Sequence, residues 1–265
     1  MNSTDPNSYS VPPRIAATHY PPPDRKPLGE NPEEREPIAT AVGAIDAILR
    51  QPRRVMYQLR QSGAGRLTLA MLFVAIGCSL IYGLVVGSFS MGAQVWAAPA
   101  KIAGGLVISA LICLPSLYIF TCLSGSQARL TEMGGLLSGL LMLMTILLVG
   151  FAPVAWLFSQ STESVAWMGA LHLLFWGIST FFGLRFLEAG FAHSQAGSSA
   201  GLNTWIVIFI LVVVQMTTAL RPIVGTADTF LPGERKFFVS YWGECMKSPP
   251  PGAQEFPRQE RPVRQ

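Results

Sequence analysis

The chain has 265 residues, of which 50% are hydrophobic and only 13% charged, with a mean hydropathy of +0.40. It is too apolar for a soluble domain of this length and too long for a single-span anchor. Its apolar blocks are continuous, which excludes the alternating pattern of a transmembrane β-barrel. A net charge of +4 and a pI near 9.0 would suit nucleic acid, but the basic residues gather beside the apolar blocks. Anionic headgroups are their nearer partner there, so no nucleic-acid role is expected.

Residues 1–37 carry Pro6, Pro12, Pro13, Pro21, Pro22, Pro23, Pro27, Pro32 and Pro37 among polar side chains. With almost nothing aliphatic to bury, this stretch reads as a disordered, partly polyproline tail. It shows no basic segment followed by an apolar one, so the first span is expected to act as the insertion signal.

Residues 38–66 form an amphipathic, basic juxtamembrane region. Ile38, Val42, Ile45 and Leu49 recur at helical spacing with Ile48 beside them, while Thr40, Asp46 and Arg50 lie off that stripe. Pro52 interrupts the helix, and a second short helix carries Val55, Met56 and Leu59. Arg50, Arg53, Arg54, Arg60 and Arg66 cluster ahead of the first span and favour a cytoplasmic N-terminus. Stripe and arginines together predict docking on the membrane surface. Packing of the stripe on the protein's own helices is an equally open reading.

Between positions 67 and 220 the formal charges are Lys101, Arg129, Glu132, Glu163, Arg185 and Glu188. They divide the region into five apolar blocks at 67–86, 102–123, 133–158, 165–187 and 202–220, each long enough to cross about 30 Å of hydrocarbon as a helix. The expected fold is therefore an all-α bundle of about five membrane spans. The stretch 87–101, with Gln94, Trp96 and Pro99, reads as an interfacial loop. Five spans put the ends on opposite sides, with the N-terminus cytoplasmic and the C-terminus outside. Arg221, Arg235 and Lys236 add positive charge to that outer side. In 221–247, Phe237, Phe238, Tyr241 and Trp242 share one helical face and are expected at headgroup level. The charged, proline-rich 248–265 reads as disordered.

Gly83 and Gly87, and Gly135 and Gly139, place small residues four apart and mark faces where helix backbones approach closely. His172 and Gln215 are the candidate intramembrane polar site, since a polar group inside a span is costly and is kept for a reason. No Asp or Glu lies in the apolar part of a span to partner the histidine. Hydrolase, His-Glu-x-x-His and phosphate-loop motifs are absent, and the four cysteines, Cys78, Cys113, Cys122 and Cys245, form no Cys-x-x-Cys pair. The expectation is a non-enzyme with no catalytic residue, cofactor or metal.

Five apolar blocks behind a Pro-rich tail, with Leu-Pro-Ser-Leu-Tyr at 114–118 and Pro153 in the third span, resemble the bacterial Yip1-like membrane proteins. The Leu-Arg-Pro-x-x-Gly sequence at 220–225, followed by aromatics, resembles a group of uncharacterised bacterial integral membrane proteins. These resemblances imply a bacterial inner-membrane location. The acidic-aromatic Tyr-Gly-Pro motif of eukaryotic Yip1 proteins is missing, so their trafficking role is not implied. The reading that results is a scaffold or accessory subunit contacting the lipid bilayer and either a protein partner or further copies of itself. The alternative is a small-molecule or ion transporter or channel, with His172, Gln215 and the Pro115 kink along its path.

Overall fold

The computed structural model describes residues 27–90, 94–126, 128–161, 165–193 and 200–219. Every regular element among them is a helix. Three short helices, α1 (Pro32–Arg35), α2 (Ala41–Arg50) and α3 (Pro52–Leu59), precede the long helices α4 (Ala64–Ser90), α5 (Gln94–Leu123), α6 (Leu130–Ser161) and α7 (Val165–His193), and the chain continues into α8 (Ala200–Ala219). The four long helices are each long and apolar enough to cross a membrane, and α8 is a shorter apolar helix.

Sequence explains where the short elements start and stop. The Thr40 hydroxyl accepts the Gly43 N–H at 3.0 Å and caps α2. Pro52 ends α2 and opens α3, where its missing N–H is one of the donors a helix start leaves unpaired anyway. Gly29 has φ of +87°, and a Cβ there would collide with the Tyr57 ring, so glycine is required on both counts.

The first loop is shorter than expected. Residues 87–90 stay in α4, and α5 begins at Gln94, so Pro99 and Lys101 lie inside a helix rather than in an interfacial loop. Pro99 is only five residues past the start of α5, where it removes a single backbone bond.

The helices pack into one bundle. α4 packs on α5 and on α6, α5 and α6 also touch each other, α6 carries α7, α5 carries α8, and α7 meets α8 along a thin seam. The outer surface is strongly apolar, with Phe73, Leu111, Trp167, Phe181 and Leu211 among its exposed side chains. In water this would be a fault; against hydrocarbon it is what a span requires. Glycines set the closest approaches. A Cβ at Gly83 would run into the backbone of Pro99, and one at Gly139 would run into the Phe186 ring. Gly135 receives Leu59 of α3, and Gly87 is buried.

Candidate functional site

Two places concentrate polar groups: the end of the bundle where α1–α3 sit, and the interior between α4 and α7.

At the first, the N-terminal helices form a cap held on the bundle by apolar contacts and arginines. Ala44, Ala47 and Ile48 of α2 and Val55, Met56 and Leu59 of α3 are buried in the common core. Arg53 is the hub. Its Nε donates to Glu34 Oε1 at 2.7 Å, its Nη2 donates to the Pro27 carbonyl at 3.0 Å, and its Nη1 lies 3.4 Å from His193 Nε2 at the end of α7. The His193 Nδ1 lies 2.7 Å from the Ala189 carbonyl, an acceptor only, so Nδ1 carries the proton and Nε2 accepts from Arg53. Glu34 is buried and also takes the Gly29 N–H. Burial raises its carboxyl pKa. The Arg53 hydrogen bond, the Gly29 N–H and the charge of Arg53 outweigh that effect and leave it below the usual carboxylate value.

The other arginines of the cluster are engaged similarly. Arg60 Nε meets Glu132 Oε1 at 3.0 Å and ties α3 to the start of α6, while Arg54 pairs with Glu36 at 3.5 Å and donates to the Glu36 carbonyl. Arg50 is paired with Asp46 one turn away, and both side chains are exposed. Of the arginines expected to meet lipid headgroups, Arg53, Arg54 and Arg60 thus hold carboxylates of this chain, and Arg50 faces outward. Such engagement is invisible in sequence because Glu34, Glu36 and Glu132 lie 19, 18 and 72 positions away.

The interior site centres on His172. Its Nδ1 lies 2.6 Å from the Tyr82 hydroxyl, with the rings edge to face. His172 Nε2 is buried and has no hydrogen-bond partner among the described residues, as have Ser109 Oγ and Ser179 Oγ. The proton positions follow from counting partners. If Tyr82 donates to Nδ1, one group, the Nε2–H, is left open; the reverse arrangement strands both the tyrosine proton and the Nε2 lone pair. The site therefore presents a buried N–H donor inside an apolar bundle.

Lys101 is buried at 2% exposure, two residues beyond the Pro99 that backs Gly83, and so lies at the level of Tyr82. A stacked pair, Phe151 and Phe175 with centroids 4.7 Å apart, packs one turn from His172. On α8, Trp205 stacks on Phe209 and donates to the Cys113 carbonyl at 2.9 Å, which satisfies the buried indole N–H.

Gln215, the other expected intramembrane polar residue, is exposed on α8 and is not brought to His172. Phe237, Phe238, Tyr241 and Trp242 lie outside the described residues. Tyr82 is the participant that sequence reasoning missed. No group of His, Cys, Asp and Glu suited to a metal ion occurs among the described residues. No family model matches the chain, and neither a curated protein nor a solved structure matches it significantly.

Proposed function

We propose that the chain is a non-enzymatic, five-span protein of the bacterial inner membrane, acting as a scaffold or accessory subunit with its N-terminal cap in the cytoplasm. On this reading α8, 20 residues long, is the fifth span. The Yip1-like resemblance supports the same layout and adds no functional residue. The observation that carries the proposal is the Arg53 hub, which fixes the Pro27 carbonyl between α3 and the end of α7. The 26 residues before it thus leave from a set point on the bundle. A rooted proline-rich segment is a docking peptide more than a spacer, because holding its base reduces the entropy lost when its far part binds.

Cross-linking in native membranes, followed by purification and mass spectrometry, tests this. The expected result is one stoichiometric partner captured by the full chain and lost from a chain lacking residues 1–26. Recovery of self-cross-linked protein alone, or capture unchanged by the deletion, overturns it.

A second reading, a small transporter or channel, is favoured by the open, buried Nε2–H donor of His172 between α7 and α4. Buried polar groups facing a bundle interior mark ion and substrate paths in membrane proteins. Purified protein in liposomes would then show flux of a small ion that His172→Ala abolishes at unchanged protein level. Equal flux in both, or none in either, removes the reading.

A further inference from the structure

The cap has a second apolar face that the bundle does not cover. At 100° per residue, Ala44, Ala47 and Ile48 form the buried side of α2, and Val42 and Leu49 superpose within about 20° of each other on nearly the opposite side. Val42 is 75% and Leu49 48% exposed, while Ile45, between Leu49 and Ile48 around the helix, is partly buried. Asp46, Arg50 and Gly43 fall together on a third side, where Asp46 and Arg50 pair in the open. Going round the helix, the order is bundle, then Ile48 and Ile45, then Leu49 and Val42, then the charged pair.

Depth decides what meets the exposed apolar side. Ile48 Cδ1 lies in van der Waals range of the Cβ position of Gly139. Gly139 is seven residues, about 10 Å of helix rise, beyond Glu132, whose carboxylate holds Arg60 at the polar end of the bundle. Gly135 faces Thr68, so the same layer of α4 holds Leu69 and Phe73, exposed apolar residues on a membrane-crossing helix. Ile48 thus seats α2 about 10 Å past the polar end of the bundle, in the layers where α4 turns apolar side chains outward, and an exposed apolar Val42–Leu49 face there suits the 5–10 Å depth at which interfacial helices lie.

We infer that α2 is a wedge set into the headgroup and acyl-chain boundary, with Ala44, Ala47 and Ile48 on protein, Asp46 and Arg50 toward water and headgroup phosphates, and Val42 and Leu49 in lipid. This contact is separate from any captured partner and stands or falls independently of the scaffold reading.

Site-directed spin labelling tests it. Val42→Cys, Leu49→Cys and Asp46→Cys are made in a full-length chain whose native cysteines are replaced by alanine. Each is labelled with a nitroxide and placed in nanodiscs of phosphatidylcholine and phosphatidylglycerol. Positions 42 and 49 should show an oxygen-to-nickel-chelate accessibility ratio several-fold above that of position 46. A ratio equal to that of position 46 means the face meets water, and low accessibility to both reagents means that a second copy covers it; either overturns the inference. A photo-cross-linking residue at position 49, with native cysteines kept, gives an independent measurement in native membranes. Lipid adducts are expected, and protein adducts alone overturn the wedge.

Discussion

The Tyr82 hydroxyl and His172 Nδ1 meet at 2.6 Å although α4 and α7 do not pack directly on each other among the described residues. Two long side chains link α4 to α7 where no backbone contact does. Tyr82→Phe should therefore lower the thermal unfolding midpoint in detergent, by a stability loss of about 0.5–2 kcal/mol, because both imidazole nitrogens then lie buried without partners. The double variant Tyr82→Phe with His172→Phe should recover part of that loss, since it removes the stranded groups together. A double variant less stable than the two single losses combined would show that the pair's value lies in packing alone.

Apolar blocks and the proline break at Pro52 were legible in the sequence because length, hydropathy and helix chemistry are local properties. What they pack against is not local. Ile38, Val42, Ile45 and Leu49 carry the strongest periodic signal, yet the bundle takes Ala44, Ala47 and Ile48, since alanines let α2 approach closely and the larger side chains of Val42 and Leu49 are left outside. Periodicity finds an apolar stripe and says nothing of which side is protein and which lipid. His172 stood out as a lone polar group in an apolar run. Its partner did not, because a tyrosine 90 residues earlier in sequence reads as one more aromatic of a span. Pro99, Gln94 and Trp96 make the stretch before Lys101 read as a loop, yet a helix start accommodates all three.

The glycines give a test of the packing. Gly83→Ala and Gly139→Ala should each destabilise the bundle by about 1–3 kcal/mol, because the new methyl group meets the Pro99 backbone or the Phe186 ring. Gly77→Ala and Gly104→Ala meet nothing within 4 Å, and removing helical glycine should leave stability unchanged or raise it by up to about 1 kcal/mol. Unfolding midpoints of the four variants, measured in one detergent, check the contrast. Equal losses in both pairs would mean that the close approaches do not hold the bundle.

Glu34 makes the cap sensitive to acid. Its folded pKa lies below the ordinary value of 4.5, so its ion pair stabilises docking fully above about pH 4.5 and loses that contribution as pH falls through the lower folded value. Hydrogen exchange at the backbone of α1 and α3, after correction for intrinsic rates, should be slow at pH 7 and should speed up as the pH falls below about 4.5. Glu34→Gln should show the faster exchange already at pH 7. If the variant and the parent exchange alike at pH 7, the pair does not lock the cap.

Topology follows from which charges share an end. The Arg60–Glu132 and Arg53–His193 contacts put the cap, the start of α6 and the end of α7 at one end of the bundle, and Arg129 and Arg185 belong to the same end. Arginine in short connections stays in the cytoplasm, so this end should be cytoplasmic, and a crossing α8 then delivers the C-terminus to the outside. A membrane-impermeant maleimide applied to spheroplasts should label Cys245 directly, whereas an Arg129→Cys variant should gain label only after lysis. Labelling of position 129 with protection of Cys245 would invert the orientation. Protection of both would mean that the N-terminal assignment holds and that α8 does not cross.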